Sequence, residues 1–194
     1  MVAQVQTQPI YSPEEYLALE TASETRHEYI DGEIIPMTGG LPNHNQIALN
    51  LAGNLNSLLR KQPYRVFIND QRLWIPKKRI YTYPDVMITP RDLVYQEGRK
   101  DTLTNPIAIV EVLSKSTSSY DRGDKFTAYR TILSFQEYLL VDQYQHYAQK
   151  YTKIGAKKWE FQEYDRLEDE VNFNSVSFAI ALTEIYDKVE LEQC

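Results

Sequence analysis

Residues 107–113 read IAIVEVL, a run that places apolar, mostly β-branched side chains on both faces of any strand it forms. Such a run needs cover on both sides, which is the situation of an inner strand in a sheet with elements packed above and below. One residue breaks the pattern. Glu111 lies within this run, and a lone carboxylate there is costly to desolvate unless it pairs, hydrogen-bonds or binds metal. Glu111 is therefore a structural ion pair, a strand-end residue facing water, or part of a site.

The flanking sequence supplies elements to cover that strand. Ser12, Pro13 and Glu15 form a capping-box pattern and predict a helix over Pro13–Glu20. RHEYIDGEIIPM reads as a hairpin about Asp31-Gly32. Ile47, Ala48, Leu51, Ala52, Leu55, Leu58 and Leu59 keep helical spacing between His44 and Lys61, with Asn43 as the cap and Pro63 as the stop. Strands are predicted over Arg65–Ile68, Arg72–Ile75, Asp85–Thr89 and Tyr138–Asp142, and a second helix over Asp121–Ile132. Alternating aromatic and polar residues beyond Asp142 predict an antiparallel β extension, and LTEIYDKV a short closing helix. The expectation is a loose tail over 1–10 and one α/β (α+β) domain over 11–194, a mixed β-sheet flanked by helices.

Composition narrows the chemistry. The single cysteine, Cys194, excludes an intrachain disulfide framework and a cysteine zinc knuckle, and favours an intracellular setting. No apolar run approaches a bilayer span and MVAQVQTQPIYS is too polar for a secretory signal, so a cytoplasmic protein without membrane contact is expected. The net charge of −6 argues against binding nucleic acid by phosphate neutralisation alone.

A second carboxylate, Asp85, opens the strand-like YPDVMI. A Pro-Asp pair is often only a turn. If Asp85 and Glu111 lie on adjacent strands and point the same way, they form a hard-oxygen site suited to Mg²⁺, which takes one or two carboxylates and completes its shell with water and phosphate. On the second helix Asp121, Lys125 and Tyr129 share a face. That spacing suits either a surface ion pair or a lysine turned toward a metal-bound water.

YPDVMI, then IVEVLSKST with its acid 26 residues after the first (111 − 85), then DRGDKFTAYR and EYLLVD, resemble the PD-(D/E)XK nuclease superfamily. More narrowly they resemble the Uma-type family of restriction-endonuclease-like proteins, whose layout ETRHEYIDGEI, NHNQI and LTEIYD also match. The resemblance implies a restriction-endonuclease-like three-layer core and a Mg²⁺- (or Mn²⁺-) dependent endonuclease acting on DNA. It makes Asp85 and Glu111 metal ligands, adds the backbone carbonyl of Val112, and places the catalytic lysine at Lys125 of the following helix. The position two after Glu111, where the superfamily has its lysine, is Leu113, and Lys115 is a weaker substitute. Glu28 and His44 match auxiliary positions, with Gln71 facing the same region. Lys77, Lys78 and Arg79 precede Asp85 and are candidates to meet a phosphate backbone. Duplex cleavage implies a homodimer, for which Tyr138, Tyr144, Tyr147, Tyr151 and Tyr164 offer interface residues. The displaced lysine keeps open an inactive binding or assembly module. A carboxylate-pair glycosidase ranks behind both, for want of an aromatic platform around the two acids.

Overall fold

The computed structural model describes residues 10–191, so the tail expected over 1–10 falls, up to residue 9, outside the described residues, as does Cys194. The Ser12 hydroxyl accepts from the Glu15 amide at 3.1 Å and the Glu15 carboxylate from the Ser12 amide at 2.7 Å, opening α1 (Pro13–Ala22). β1 (His27–Ile30) and β2 (Glu33–Pro36) form the hairpin. Asp31 and Gly32 carry φ of 44° and 113°, the paired positive values that match a two-residue turn to strand twist.

The long helix α2 (Pro42–Leu58) corrects the expected cap. Leu41 is the N-cap and makes no side-chain bond, Pro42 occupies the first turn, and Asn43 instead donates to the Glu190 carbonyl at 2.8 Å. Ile47, Ala48, Leu51, Ala52 and Leu55 are buried, whereas Leu58 is exposed. After α2 come β3 (Tyr64–Ile68), β4 (Arg72–Ile75), β5 (Ile80–Thr82), β6 (Val86–Pro90), β7 (Thr102–Leu103) and β8 (Ala108–Leu113). The second helix begins and ends three residues before its expected bounds: α3 (Ser118–Tyr120) runs through a π-helical turn (Asp121–Lys125) into α4 (Phe126–Tyr129). β9 (Glu137–Asp142), β10 (Ala148–Gly155), β11 (Lys158–Tyr164), β12 (Glu170–Phe173), β13 (Phe178–Ala181) and α5 (Leu182–Ile185) follow.

These strands form a six-stranded sheet ordered β11-β10-β9-β8-β6-β3, a five-stranded sheet ordered β2-β1-β5-β4-β7, and the separate hairpin β12-β13. β8 pairs parallel with β9 and antiparallel with β6, so the IAIVEVL strand is an inner strand, and all six of its residues are buried. Alternation sorts its side chains. Ala108, Val110 and Val112 join Val86, Ile88, Leu139 and Val141 beneath α2, α5 and the β12-β13 hairpin. Ile109 and Leu113 face the other way, with Met87, Tyr138 and Leu140, toward Phe126, Tyr129 and the five-stranded sheet. Leu73, Ile75 and Ile80 of that sheet enter this second core, while Tyr29 and Tyr81 on its opposite face pack with Tyr16 of α1. The fold is thus a mixed α/β arrangement of sheets flanked by helices, and the face carrying Glu111 lies between the two sheets. Among the described residues no helix is long and apolar enough to cross a membrane.

Candidate active site

Period-two geometry puts Glu111 on the face of Ile109 and Leu113. The helix after β8 crosses that face and delivers Lys125 to it. Lys125 Nζ lies 2.9 Å from Glu111 Oε1, 3.4 Å from Asp121 Oδ1 and 3.7 Å from Glu28 Oε1. The Tyr129 hydroxyl donates to Glu111 Oε1 at 2.7 Å. Glu111, Asp121 and Lys125 are 3%, 2% and 7% exposed, which removes Asp121–Lys125 from the class of solvated surface pairs.

Asp85 immediately precedes β6, and extending the Val86↔Val110 register by one residue brings it opposite Glu111. Its Oδ2 accepts the Val112 amide at 2.7 Å and lies 3.3 Å from His44 Nε2, in the first turn of α2. Val112 thus meets Asp85 through its N–H; its carbonyl is the group implied as a metal ligand. Glu28 on β1 accepts from the Thr82 hydroxyl of β5 and points inward, not to solvent. Glu28, His44, Asp85, Glu111, Val112 and Lys125 all line one cavity of about 390 Å³.

The electrostatics follow from burial. Desolvation pushes the Glu111 carboxyl up, with Lys125 pulling it down and Asp85 and Asp121 adding to the rise. Burial alone would depress Lys125, but Glu111 first, then Tyr129, Glu28 and Asp121, hold its pKa well above the ordinary value. Desolvation also opposes the charged form of His44, yet the hydrogen bond and charge of Asp85 outweigh it and its pKa is raised. Burial keeps Tyr120 and Tyr129 as neutral phenols.

The donor set is one of hard oxygens, as Mg²⁺ requires. Among the described residues no three His, Cys, Asp or Glu side chains form a ready metal cage. Two carboxylates with room for water and phosphate still fit an ion that keeps several waters.

Other expected residues lie elsewhere. Lys77 and Lys78 are in the 3₁₀ turn Pro76–Lys78 between β4 and β5, Arg79 pairs with Asp31 at 2.8 Å, and none of the three lines the cavity. They stand before β5 and Asp85 after it, and three residues of strand span about 10 Å. Gln71 donates to the Asp101 carbonyl at 2.9 Å, also away from the cavity. Tyr138 and Tyr164 are core residues and Tyr151 packs against the core beside Phe126, which leaves Tyr144 and Tyr147 of the five proposed interface tyrosines. His27 Nδ1, also outside the cavity, lies 3.0 Å from Glu20.

Tyr120, Gln143 and residues 36–41 carried no expected role, and Tyr144 was expected only at an interface; all of them contribute to the cavity wall. Gln143 follows the end of β9, which lies beside β8, and its amide donates to the Leu113 carbonyl at 2.9 Å. Only the sheet order reveals that position. Tyr129 carried a signal, being one helical turn beyond Lys125 on the same face.

Known proteins resemble the chain in sequence and in fold. The chain is 39% identical over 155 residues to the "Uncharacterized protein sll1609" of Synechocystis, covering 80% of this chain and 88% of that one. It is 37% identical over 185 residues to "Uncharacterized protein slr1290" of the same organism, covering 92% of each. A solved structure from Anabaena variabilis, titled a "putative nuclease belonging to DUF820", shares the fold with a TM-score of 0.74 at 19% identity, over 91% of this chain and 97% of its own. The Uma2 family model, described as "Putative restriction endonuclease", matches residues 13–183. With the match spanning nearly all of the described chain, from the first helix to the closing one, this protein belongs to the Uma2 family.

Proposed function

We propose that the chain is a Mg²⁺- or Mn²⁺-dependent endonuclease that hydrolyses phosphodiester bonds in DNA. The observation that carries this reading is the cavity floor, where Glu111 on an inner strand meets Lys125 on the following helix at 2.9 Å beside Asp85. Asp85, Glu111 and the Val112 carbonyl would hold the ion. When bound, it would acidify a water and neutralise charge on the scissile phosphate. Lys125, kept cationic by the acids around it, would face charge developing on the phosphate. Tyr129 fixes the Glu111 carboxylate by its hydrogen bond, and His44 fixes that of Asp85.

The test is cleavage of DNA by purified protein with Mg²⁺ or Mn²⁺, beside Glu111→Ala and Lys125→Ala. Each variant is expected to lose at least a hundredfold, the scale of one positioned charge in a transition state. Equal rates in wild type and Glu111→Ala would reject the assignment. Cutting both strands of a duplex would call for a homodimer, and a monomer by light scattering at all concentrations counts against that assembly.

One observation favours a second reading, a nuclease-fold binding module without turnover. Both acids already have partners within the chain, Glu111 in Lys125 and Tyr129, Asp85 in His44 and the Val112 amide. Calorimetric titration with Mn²⁺ separates the two, since the module binds nucleic acid with no metal dependence.

A further inference from the structure

The cavity wall carries features that hydrolysis does not use. Ile35, Met37, Leu41 and Tyr144 are 39%, 38%, 56% and 41% exposed, and all four line this cavity. Ile35 lies near the end of β2 and Met37 just after it, Leu41 leads into α2, and Tyr144 comes from the loop after β9. Four separate positions thus turn large apolar groups toward one opening. Lys115 Nζ stands 5.2 Å over the Tyr144 ring, so that face is already used as a π surface.

Two residues of the cavity wall carry buried hydrogen-bonding atoms without partners among the described residues. The Tyr120 hydroxyl is one and Gln143 Oε1 is another. Gln143 is 1% exposed, and its bond to the Leu113 carbonyl fixes which end of the amide is the free acceptor. Free polar atoms in a walled pocket with apolar flanks are the equipment of sites that hold a base taken out of its stack.

Charge separates the possible forms of nucleic acid. Lys115 and Lys125 are the only lysines or arginines among the lining residues, Lys125 is buried, and Glu28, Asp85, Glu111 and Asp121 line the same space. A duplex is gripped mainly by cations set along its phosphates, and this cavity has no such track. Its remaining source of affinity is contact with base faces, which only an unpaired strand offers.

We infer that this site takes an unpaired nucleotide, with the phosphate at the Glu111–Lys125 floor and the base against Ile35, Met37, Leu41 and Tyr144, so that its substrate is single-stranded or frayed nucleic acid. This rests on the nuclease reading above and narrows it. A cavity of about 390 Å³ is in the range that encloses a ligand of nucleotide size.

The test has a binding arm and a cleavage arm. In the first, a fluorescent single-stranded oligonucleotide and a blunt duplex of the same sequence are titrated with Glu111→Gln protein in EDTA, followed by anisotropy. The single strand is expected to bind at least tenfold tighter, with a salt slope corresponding to about one or two phosphates. Tyr144→Ala and Met37→Ser, both at exposed positions, are each expected to weaken it about fivefold or more, the scale of one lost stacking contact. In the second arm, wild type with Mn²⁺ is given the single strand, the blunt duplex and a duplex with a single-stranded flap. Faster cleavage of the first and third is expected. Equal or tighter binding of the blunt duplex, or unchanged binding in both variants, overturns the inference. Absence of cleavage on every substrate overturns the nuclease reading, and the binding arm still decides whether an unpaired strand is the ligand.

Discussion

Lys125 is where most of the cavity's charge converges, within 4 Å of Glu111, Asp121 and Glu28. Breaking a buried pair by removing one member leaves the other charge uncompensated, at a cost of about 3–5 kcal/mol. Lys125→Met is expected to lose stability on that scale in urea unfolding, and adding Glu111→Gln to restore a substantial part. If the double variant is no more stable than Lys125→Met, the two residues are not coupled. Glu111 was legible because it violates a pattern: a carboxylate in a doubly covered strand needs a reason. Gln143 was not, since a polar residue at a strand end is ordinary and only its place beside β8 gives it meaning.

At the level of elements, the π turn is what brings Asp121 and Lys125 to the same cavity as Tyr120 and Tyr129's partner Glu111. A π turn is a bulge of one residue within a helix, so removing a residue there lets regular helix run through the segment and resets Lys125 relative to Asp121 while the flanking turns keep their faces. Deletion of Gly123, whose neighbourhood is open, is expected to leave a folded protein by circular dichroism and to abolish the proposed metal-dependent cleavage. Retained activity would show that the turn is incidental. The hairpin at Asp31-Gly32 offers a contrasting case. Gly32 has φ of 113° and a Cβ there would lie 2.7 Å from Ile10 Cγ2, so Gly32→Ala is expected to destabilise by more than about 1 kcal/mol, where the same change at a compatible site would stabilise. An unchanged melting temperature would contradict it. That turn and the first cap were readable because their residues carry the geometry themselves. β5 and β7 were not, having three and two residues and no alternation to detect. The π turn was invisible for a related reason: i, i+4 spacing predicts a shared face whether or not the helix is regular.

For the molecule as a whole, its tyrosines set an alkaline limit. Burial pushes Tyr83 up to about 12, and Tyr16, Tyr129 and Tyr138 are raised for the same first reason. A phenol whose pKa is higher folded than unfolded contributes stability that is complete below its ordinary value of 10.0 and lost as pH rises through the raised value. Unfolding is expected to set in above about pH 10, with tyrosinate absorbance rising in step with loss of structure. Ionisation that runs to completion while circular dichroism holds would show the rings to be accessible.

The two sheets also have a consequence in time. Each carries one of the two tryptophans, Trp74 on β4 and Trp159 on β11. Glu28 comes from one sheet and Glu111 from the other, and Lys125 reaches both. Contacts so distant along the chain form slowly. During refolding, Trp159→Phe reports the arrival of one half and Trp74→Phe the other, and the proposed cleavage is expected no earlier than the later of them. A growing or damaged chain with only one sheet in place has only some of the acids that surround Lys125, and so no assembled site.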